Sequence, residues 1–494
     1  MHKSKQGSVK RKIALDTPPV PKFAKVDGMS SPTDERGGIQ IPSSNAPFAD
    51  RQNAGQVVET LNSHVPVFEP PIAPPAEPRV KLKANTDLKK FFYKPMAMHL
   101  SEASEILDER IDDFQQMVQD YHKLEDSAFG SACLQSTNEI VAVGRIACDT
   151  LEGKLNAASI MLETSRRTGA GLRVPLKVEA ISKEFFPGQI VALRGINASG
   201  SFFSVKEVLD LRLPKILGSS PTELDAHAER AGLSPGETSG SHHALNMLIA
   251  SGPYTADDNL AFEPLNALCE QAIETSVDVL ILIGPILDIE HPLLASGDFD
   301  LPDDASIEPD KATLNDVFRL LIGAQLRLLA QRVPSITILM IPSVRDSVSK
   351  HVAWPQEPYE KKVLGLPKQA KLLTNPVMIS LNEMLVAISA SDVLYDLRRE
   401  EVTVGKPTDN NLLSRLPRHL IQQRHFYPLF PPSERSSLPR TGTGNGVATG
   451  MPLDVSYLKL GEMLDVRPDL LITPSSLPPF GKVKALKLLA IKAF

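Results

Sequence analysis

The stretch Val277-Asp278-Val279-Leu280-Ile281-Leu282-Ile283, running into Gly284-Pro285-Ile286-Leu287-Asp288, sets the architecture of the C-terminal half of this 494-residue chain. It is an apolar strand that stops at a Gly-Pro turn. Two more strands of the same kind flank it. Leu245-Asn246-Met247-Leu248-Ile249-Ala250 leads into Ser251-Gly252-Pro253-Tyr254, and Ile336-Thr337-Ile338-Leu339-Met340-Ile341 leads into Pro342-Ser343-Val344-Arg345-Asp346. Helical stretches at 262–275 and 312–331 separate them, which is the βαβ pattern of an α/β domain.

Strand ends arranged in this way resemble those of metallophosphoesterases, in which D-x-H, G-D-x-x-D and G-N-H-D at the three turns hold two metals. Most of those ligands are missing. Gly252 and Tyr254 stand where aspartate and histidine are required, and Pro285 stands for the bridging aspartate, with Asp288 retained. Val344 replaces asparagine and Arg345 replaces histidine ahead of Asp346, and an arginine there repels a cation. In Arg424-His425-Phe426-Tyr427-Pro428, His425 occupies the place of a final histidine-rich loop, and alone it cannot anchor two metals. The expectation is no catalytic residue, no metal and no cofactor. The two surviving carboxylates are expected to cap a helix or brace a loop. A binding subunit, not an enzyme, follows.

Composition sets outer bounds. Hydrophobic residues make up 42% and charged residues 23%, ordinary for a globular protein, with room for two or three domains. A net charge of −6 argues against nonspecific DNA binding by the whole surface. Cys133, Cys148 and Cys269 are too few and too scattered for a disulfide framework or zinc module, which suits a reducing compartment. No run is apolar and long enough to span a membrane, and the N-terminus lacks a signal peptide's apolar stretch.

Residues 1–85 read as a disordered, Pro-rich basic tail. Lys3, Lys5, Lys10, Arg11 and Lys12 form a candidate nuclear import signal, and Thr17-Pro18 and Ser31-Pro32 are candidate proline-directed phosphorylation sites. Over 86–130 a connecting segment leads into an amphipathic helix. Before it, Arg79, Lys81, Lys83, Lys89, Lys90 and Lys94 interleave with Phe91, Phe92 and Tyr93. That composition suits a single-strand binding surface; the plainer expectation is aromatics packed on a neighbouring domain with the lysines solvated. The helix is expected to be capped by Ser101, with the stripe Leu100, Ala103, Leu107, Ile111, Phe114, Val118 and Tyr121 docked on its own protein.

Five short strands are expected over 136–215: 140–146, 159–162, 173–178, 190–196 and 202–205. Their spacing suits a small closed barrel of OB type, with one of Phe202 and Phe203 facing the core. Such a barrel binds nucleic acid or protein, and both stay open. Residues 216–243 read as a Pro/Gly/Ser linker, and 244–494 as the α/β domain. The acidic loop Asp298, Asp300, Asp303, Asp304, Glu308 and Asp310 lacks the glycine and terminal glutamate of a calcium loop and reads as solvated. Gly442-Thr443-Gly444-Asn445-Gly446 reads as a flexible insertion.

In order along the chain, Gly144-Arg145-Ile146, Gly153-Lys154-Leu155-Asn156, Phe186-Pro187-Gly188-Gln189 and Gly195-Ile196-Asn197 recur with the three strand-end turns, followed by Gln423-Arg424-His425-Phe426-Tyr427-Pro428 and Pro468-Asp469-Leu470-Leu471-Ile472-Thr473-Pro474-Ser475. Together they resemble the accessory B subunits of DNA polymerase alpha–primase, of fungal type. The resemblance implies an α+β multidomain protein: a disordered N-terminal tail, an OB-type barrel, then a calcineurin-like phosphoesterase sandwich without its metal site. It implies a non-catalytic nuclear subunit that grips the zinc-containing C-terminal region of the catalytic subunit and through it the two primase subunits, touching DNA indirectly or weakly and no membrane. The small subunits of other replicative polymerases share the architecture; the Pro-rich leader and Gly252-Pro253-Tyr254-Thr255 favour alpha. A living phosphoesterase and an OB-based single-strand DNA binder are the readings from other classes. The family pattern also places a helical domain ahead of the Pro-rich stretch, and Lys484 to Phe494 does not lead into the Asn-Pro-Gly and final strands it implies. On that pattern the chain is cut short at both ends.

Overall fold

Continuous apolar strands such as Ile140-Val141-Ala142-Val143 arise where both faces of a strand are buried. The computed structural model explains which faces these are. It describes residues 48–50, 55–64, 75–95, 97–150, 154–230, 245–302, 305, 307–407, 409–433, 452–484 and 486–490. The strands in chain order are β1 (Leu82–Ala84), β2 (Ser136–Cys148), β3 (Ile160–Glu163), β4 (Arg173–Lys177), β5 (Lys183–Phe185), β6 (Ile190–Asn197), β7 (Phe203–Val208), β8 (Met247–Ser251), β9 (Val279–Ile283), β10 (Thr337–Ile341), β11 (Ala370–Leu372), β12 (Val377–Leu381), β13 (Met384–Ile388), β14 (Val402–Val404), β15 (Leu470–Ile472), β16 (Phe480–Lys484) and β17 (Leu486–Ala490).

A closed barrel forms from β2-β3-β4-β7-β6, the five expected strands. Ala142, Ile146, Leu162, Leu176, Leu193 and Phe203 fill its interior. The outer face of β2 and β6, Val141, Val143, Ile190 and Ala192, is covered by Ile111, Phe114 and Val118 of the helix Leu100–His122. That helix docks on its own protein, as its stripe implies, but the stripe's ends stay out: Leu100 is 90% exposed and Tyr121 48%. Its N-cap is His99 instead of Ser101, with the Glu102 carboxylate accepting from the His99 backbone N–H at 2.6 Å.

The C-terminal domain has four layers. The sheet β11-β10-β9-β8 is wholly parallel, and a six-stranded sheet runs β1-β12-β13-β15-β17-β16. Between the sheets pack Val279, Ile281, Ile283, Leu339 and Ile341 from one side and Ile379, Val386, Ile388 and Ile472 from the other. The alternate residues Leu280, Leu282, Ile338 and Met340 face outward, onto the helices Glu263–Glu274 and Ala324–Arg332. The six-stranded sheet turns Met378, Leu385 and Leu471 onto the helices Val393–Glu400 and Leu412–Gln423. Both βαβ faces are therefore buried by period-two alternation.

Several boundaries depart from the sequence reading. Leu82–Ala84, inside the stretch read as tail, pairs antiparallel with β12. Pro221–Arg230, inside the stretch read as linker, is helical, with Ser220 and Glu223 exchanging hydrogen bonds at its start. Leu486–Ala490, inside the stretch read as not leading into the final strands of the family pattern, is itself a strand and lies between β15 and β16. The barrel joins the sandwich through β5–β14 pairing and through Gln423, whose side-chain amide serves both the N–H and C=O of Ile190 at 2.8 and 2.9 Å.

Candidate functional site: the turns after β8, β9 and β10

The parallel ladder runs one residue beyond the strands, with Gly252 N–H donating to Ile283 C=O and Gly284 N–H to Ile341 C=O, both at 2.8 Å. The turns are thus held edge to edge. A Cβ on Gly252 would overlap the Pro285 carbonyl, so glycine is required by close approach of backbone to backbone. Tyr254 fills the position read as a lost ligand with an internal bond. Its buried hydroxyl lies 2.9 Å from Ala250 O, to which it donates, and accepts from Ile283 N–H at 3.1 Å. Burial holds that phenol far above its ordinary range.

Asp288 and Asp346 meet across an antiparallel bridge. Asp346 braces the Gly284–Leu287 turn: Oδ1 accepts from the backbone N–H groups of Ile286 and Leu287 (2.6 and 3.1 Å), and Oδ2 from Ser343 N–H and Tyr359 O–H (2.8 and 2.6 Å). Burial pushes its carboxyl up to about 6 against the pull of those four donors. Asp288 takes a different partner. The Arg345 guanidinium reaches it by two nitrogens, Nε at 3.2 Å from Oδ1 and Nη2 on Oδ2, with Nε also 3.4 Å from Glu290 Oε2. Asp288 and Glu290 are both buried, at 6% and 8% exposure. The arginine read as repelling a cation supplies the positive charge itself.

His425 belongs elsewhere. It is fully buried against Trp354, its Nδ1 accepting from Tyr427 N–H at 3.0 Å and its Nε2 facing Leu458 O at 2.9 Å. Burial, with Arg110 adding to it, holds its imidazole well below the usual range, and so neutral. Val344 packs into the core beside the helices Val393–Glu400 and Leu412–Gln423. Among the described residues, no group of three or more His, Cys, Asp or Glu side chains is placed to hold a metal ion. Lys3, Lys5, Lys10, Arg11, Lys12, Thr17 and Ser31 lie outside the described residues. Glu290 and Tyr359 were missed; the first lies two residues past Asp288, and the second reaches Asp346 from a separate loop that carries no periodic signal.

On the barrel, Phe203 is buried and Phe202 lies half out, with Lys177 Nζ 3.6 Å from its ring centre. Three other outward cations of the barrel face carboxylates: Arg194 with Glu207 (2.9 Å), Lys206 with Glu139 (2.6 Å) and Arg173 with Glu163 (2.5 Å). No helix among the described residues is long and apolar enough to cross a membrane.

A sequence profile for the DNA polymerase alpha/epsilon B subunit matches residues 247–482, and one for the OB domain of the DNA polymerase alpha B subunit matches residues 104–211. These spans coincide with the sandwich and with the barrel plus its covering helix. The DNA polymerase alpha B subunit of Schizosaccharomyces pombe is 35% identical over 444 residues, 89% of this chain and 71% of that protein. The Saccharomyces cerevisiae protein of that name is 34% identical over 88% of this chain and 64% of its own length; the Bos taurus protein is 27% identical over 97% and 72%. With identity at this level running through barrel and sandwich alike, the chain belongs to the family of DNA polymerase alpha B subunits.

Proposed function

We propose that this chain is the non-catalytic accessory subunit of DNA polymerase alpha–primase, a nuclear scaffold that binds the C-terminal region of the catalytic subunit and through it the two primase subunits. The layered sandwich corresponds in this reading to a calcineurin-like phosphoesterase whose metal centre has been given up. One observation carries it: the Arg345 guanidinium sits on Asp288 and Glu290, at the turns where such an enzyme would hold its ions. Two metals do not fit these residues. Asp288 is committed to Arg345, Asp346 to three backbone N–H groups and Tyr359, and Gly252 and Pro285 offer no side-chain donor. A phosphoesterase reading would need those lone pairs free.

The barrel's ion-paired surface favours a protein-binding role for the barrel over single-strand DNA binding, because each pair leaves little net charge to attract phosphate. Co-purification of the whole chain with the catalytic subunit's C-terminal region tests the assignment. A stable stoichiometric complex is expected, and failure of a soluble, folded chain to bind refutes it. Elemental analysis and a phosphodiesterase assay on the same preparation test the lost centre: stoichiometric manganese or zinc with turnover would overturn it.

A further inference from the structure

The segment from Arg79 to Lys94 carries six basic side chains against one acidic residue, Asp87, in a chain whose net charge is −6. Its apolar and charged residues separate by face. Leu82 of β1 packs into the intersheet core, and strand periodicity puts Lys81 and Lys83 together on the opposite, exposed side. In the 3-10 turn Leu88–Phe91, residues three apart eclipse. Leu88 and Phe91 therefore share the inner side, Phe91 at 1% exposure, and Lys89 and Lys90 the outer. Tyr93 stacks on Tyr457 with ring centres 3.7 Å apart, while Phe92 beside it is 61% exposed. The backbone is pinned: Asn85 and Thr86 N–H donate to Met378 O, and Thr86 Oγ1 accepts from Met378 N–H.

Some cations elsewhere on the surface face carboxylates, as Lys206 does Glu139 and Lys350 does Glu360, and within this segment Arg79 is held by Asp278 at 2.6 Å. Lys81, Lys83, Lys89, Lys90 and Lys94 have no ion-pair partner among the described residues. We propose that this exposed segment, with five lysines and the outward Phe92, is a docking platform for single-stranded nucleic acid. The lysines neutralise phosphates and the ring offers a stacking surface to an unpaired base. An acidic polypeptide would use the lysines and leave the ring without a role. A duplex keeps its base faces covered.

The test uses the whole chain and fluorescence anisotropy, with a labelled oligothymidylate, a duplex and polyglutamate as probes across a salt series. Joint replacement of Lys81, Lys83, Lys89 and Lys90 by alanine is expected to weaken strand binding about tenfold or more and to flatten the salt slope by about 0.7 per lysine. Phe92→Ala is expected to weaken strand binding about fivefold or more and leave duplex binding unchanged. These side chains are exposed, so folding is checked simply by matched thermal midpoints. A control replaces Lys206, Lys311, Lys350 and Lys459, each in an ion pair, and should bind as the parent does. The proposal is overturned if the four-lysine variant binds like the parent or the control variant weakens binding equally. A silent Phe92→Ala, or polyglutamate bound as tightly as the strand, also overturns it.

Discussion

Arg345→Met removes a guanidinium while keeping most of its apolar stem, and it leaves Asp288 and Glu290 as buried carboxylates without their shared cation. The Arg345 side chain is 19% exposed, and those of Asp288 and Glu290 are 6% and 3%, so solvent screens the loss poorly. Breaking a buried pair from one side costs about 3–5 kcal/mol. A domain of roughly 240 residues gains about 0.5 kcal/mol/K of entropy on unfolding, so the midpoint should drop by about 6–10 °C. Scanning calorimetry of the parent, Arg345→Met, Asp288→Asn and the double variant reads this directly. Because Asp288→Asn removes part of the charge that the first change strands, the double variant should lose less than the sum, with a coupling of about 1–3 kcal/mol. A loss below about 1 kcal/mol, or strictly additive losses, would refute the reasoning. So would recovery of the midpoint on adding manganese, since that would make the turns a cation cradle.

Gly252→Ala should destabilise by about 1–3 kcal/mol or more, because the new methyl meets the fixed Pro285 carbonyl; Gly252→Asp, nominally adding a ligand, should fold worse still and gain no metal, as thermal shift with and without manganese will tell. Asp396 is pushed up to about 7, chiefly by burial, with the Tyr427 hydrogen bond opposing and Asp392 adding to the rise. Unfolded, it titrates near 4, so the native chain holds a proton that the unfolded chain has lost, and stability falls as pH rises from about 4 to about 7. Asp346, pushed up to about 6, adds to the same slope, and Asp396→Asn should flatten it in urea titrations at several pH values; parallel curves would contradict the assignment. Gln423→Ala strands the buried N–H and C=O of Ile190 and should cost about 2–4 kcal/mol, with the barrel melting ahead of the sandwich if that amide holds the two together; a single unshifted transition would count against it.

Local signals carried the barrel and the parallel core. Alternation in Arg173–Lys177, a turn before Ile190 and the doubly buried runs 140–146 and 279–283 each needed only neighbours a few residues away. What escaped depends on distant partners. Leu82–Ala84 becomes a strand by pairing with Ile379–Leu381, about three hundred residues further on, and no tail-like composition announces that. The site divided along the same line. That Gly252, Pro285 and Val344 offer no side-chain metal donor could be read from residue type alone. The part played by Arg345 could not, because repulsion of a metal and attraction to two carboxylates are the same property seen with and without knowledge of Glu290 beside it.

The charge balance around Arg345 bears on how neighbouring buried carboxylates are made compatible with the fold. Deleting cations from a cluster of carboxylates leaves buried negative charge, and protonation or unfolding is the usual relief. Here the covalently attached guanidinium supplies charge of the right sign in a fork that matches Asp288, while Tyr359 and three backbone N–H groups take up the lone pairs of Asp346. Backbone bonds from Gly252 to Ile283 and from Gly284 to Ile341 hold the turns after β8, β9 and β10 in register. It follows that no single substitution builds a cation site: Arg345→His adds one candidate ligand, yet Asp346 remains saturated by donors and Gly252 has no room for a carboxylate. Calorimetry of Arg345→His with and without zinc or manganese should show the destabilisation of Arg345→Met and no metal-dependent rise. A rise of several degrees at micromolar metal would mean that the donors around Asp346 yield more readily than four hydrogen bonds to one buried carboxylate allow.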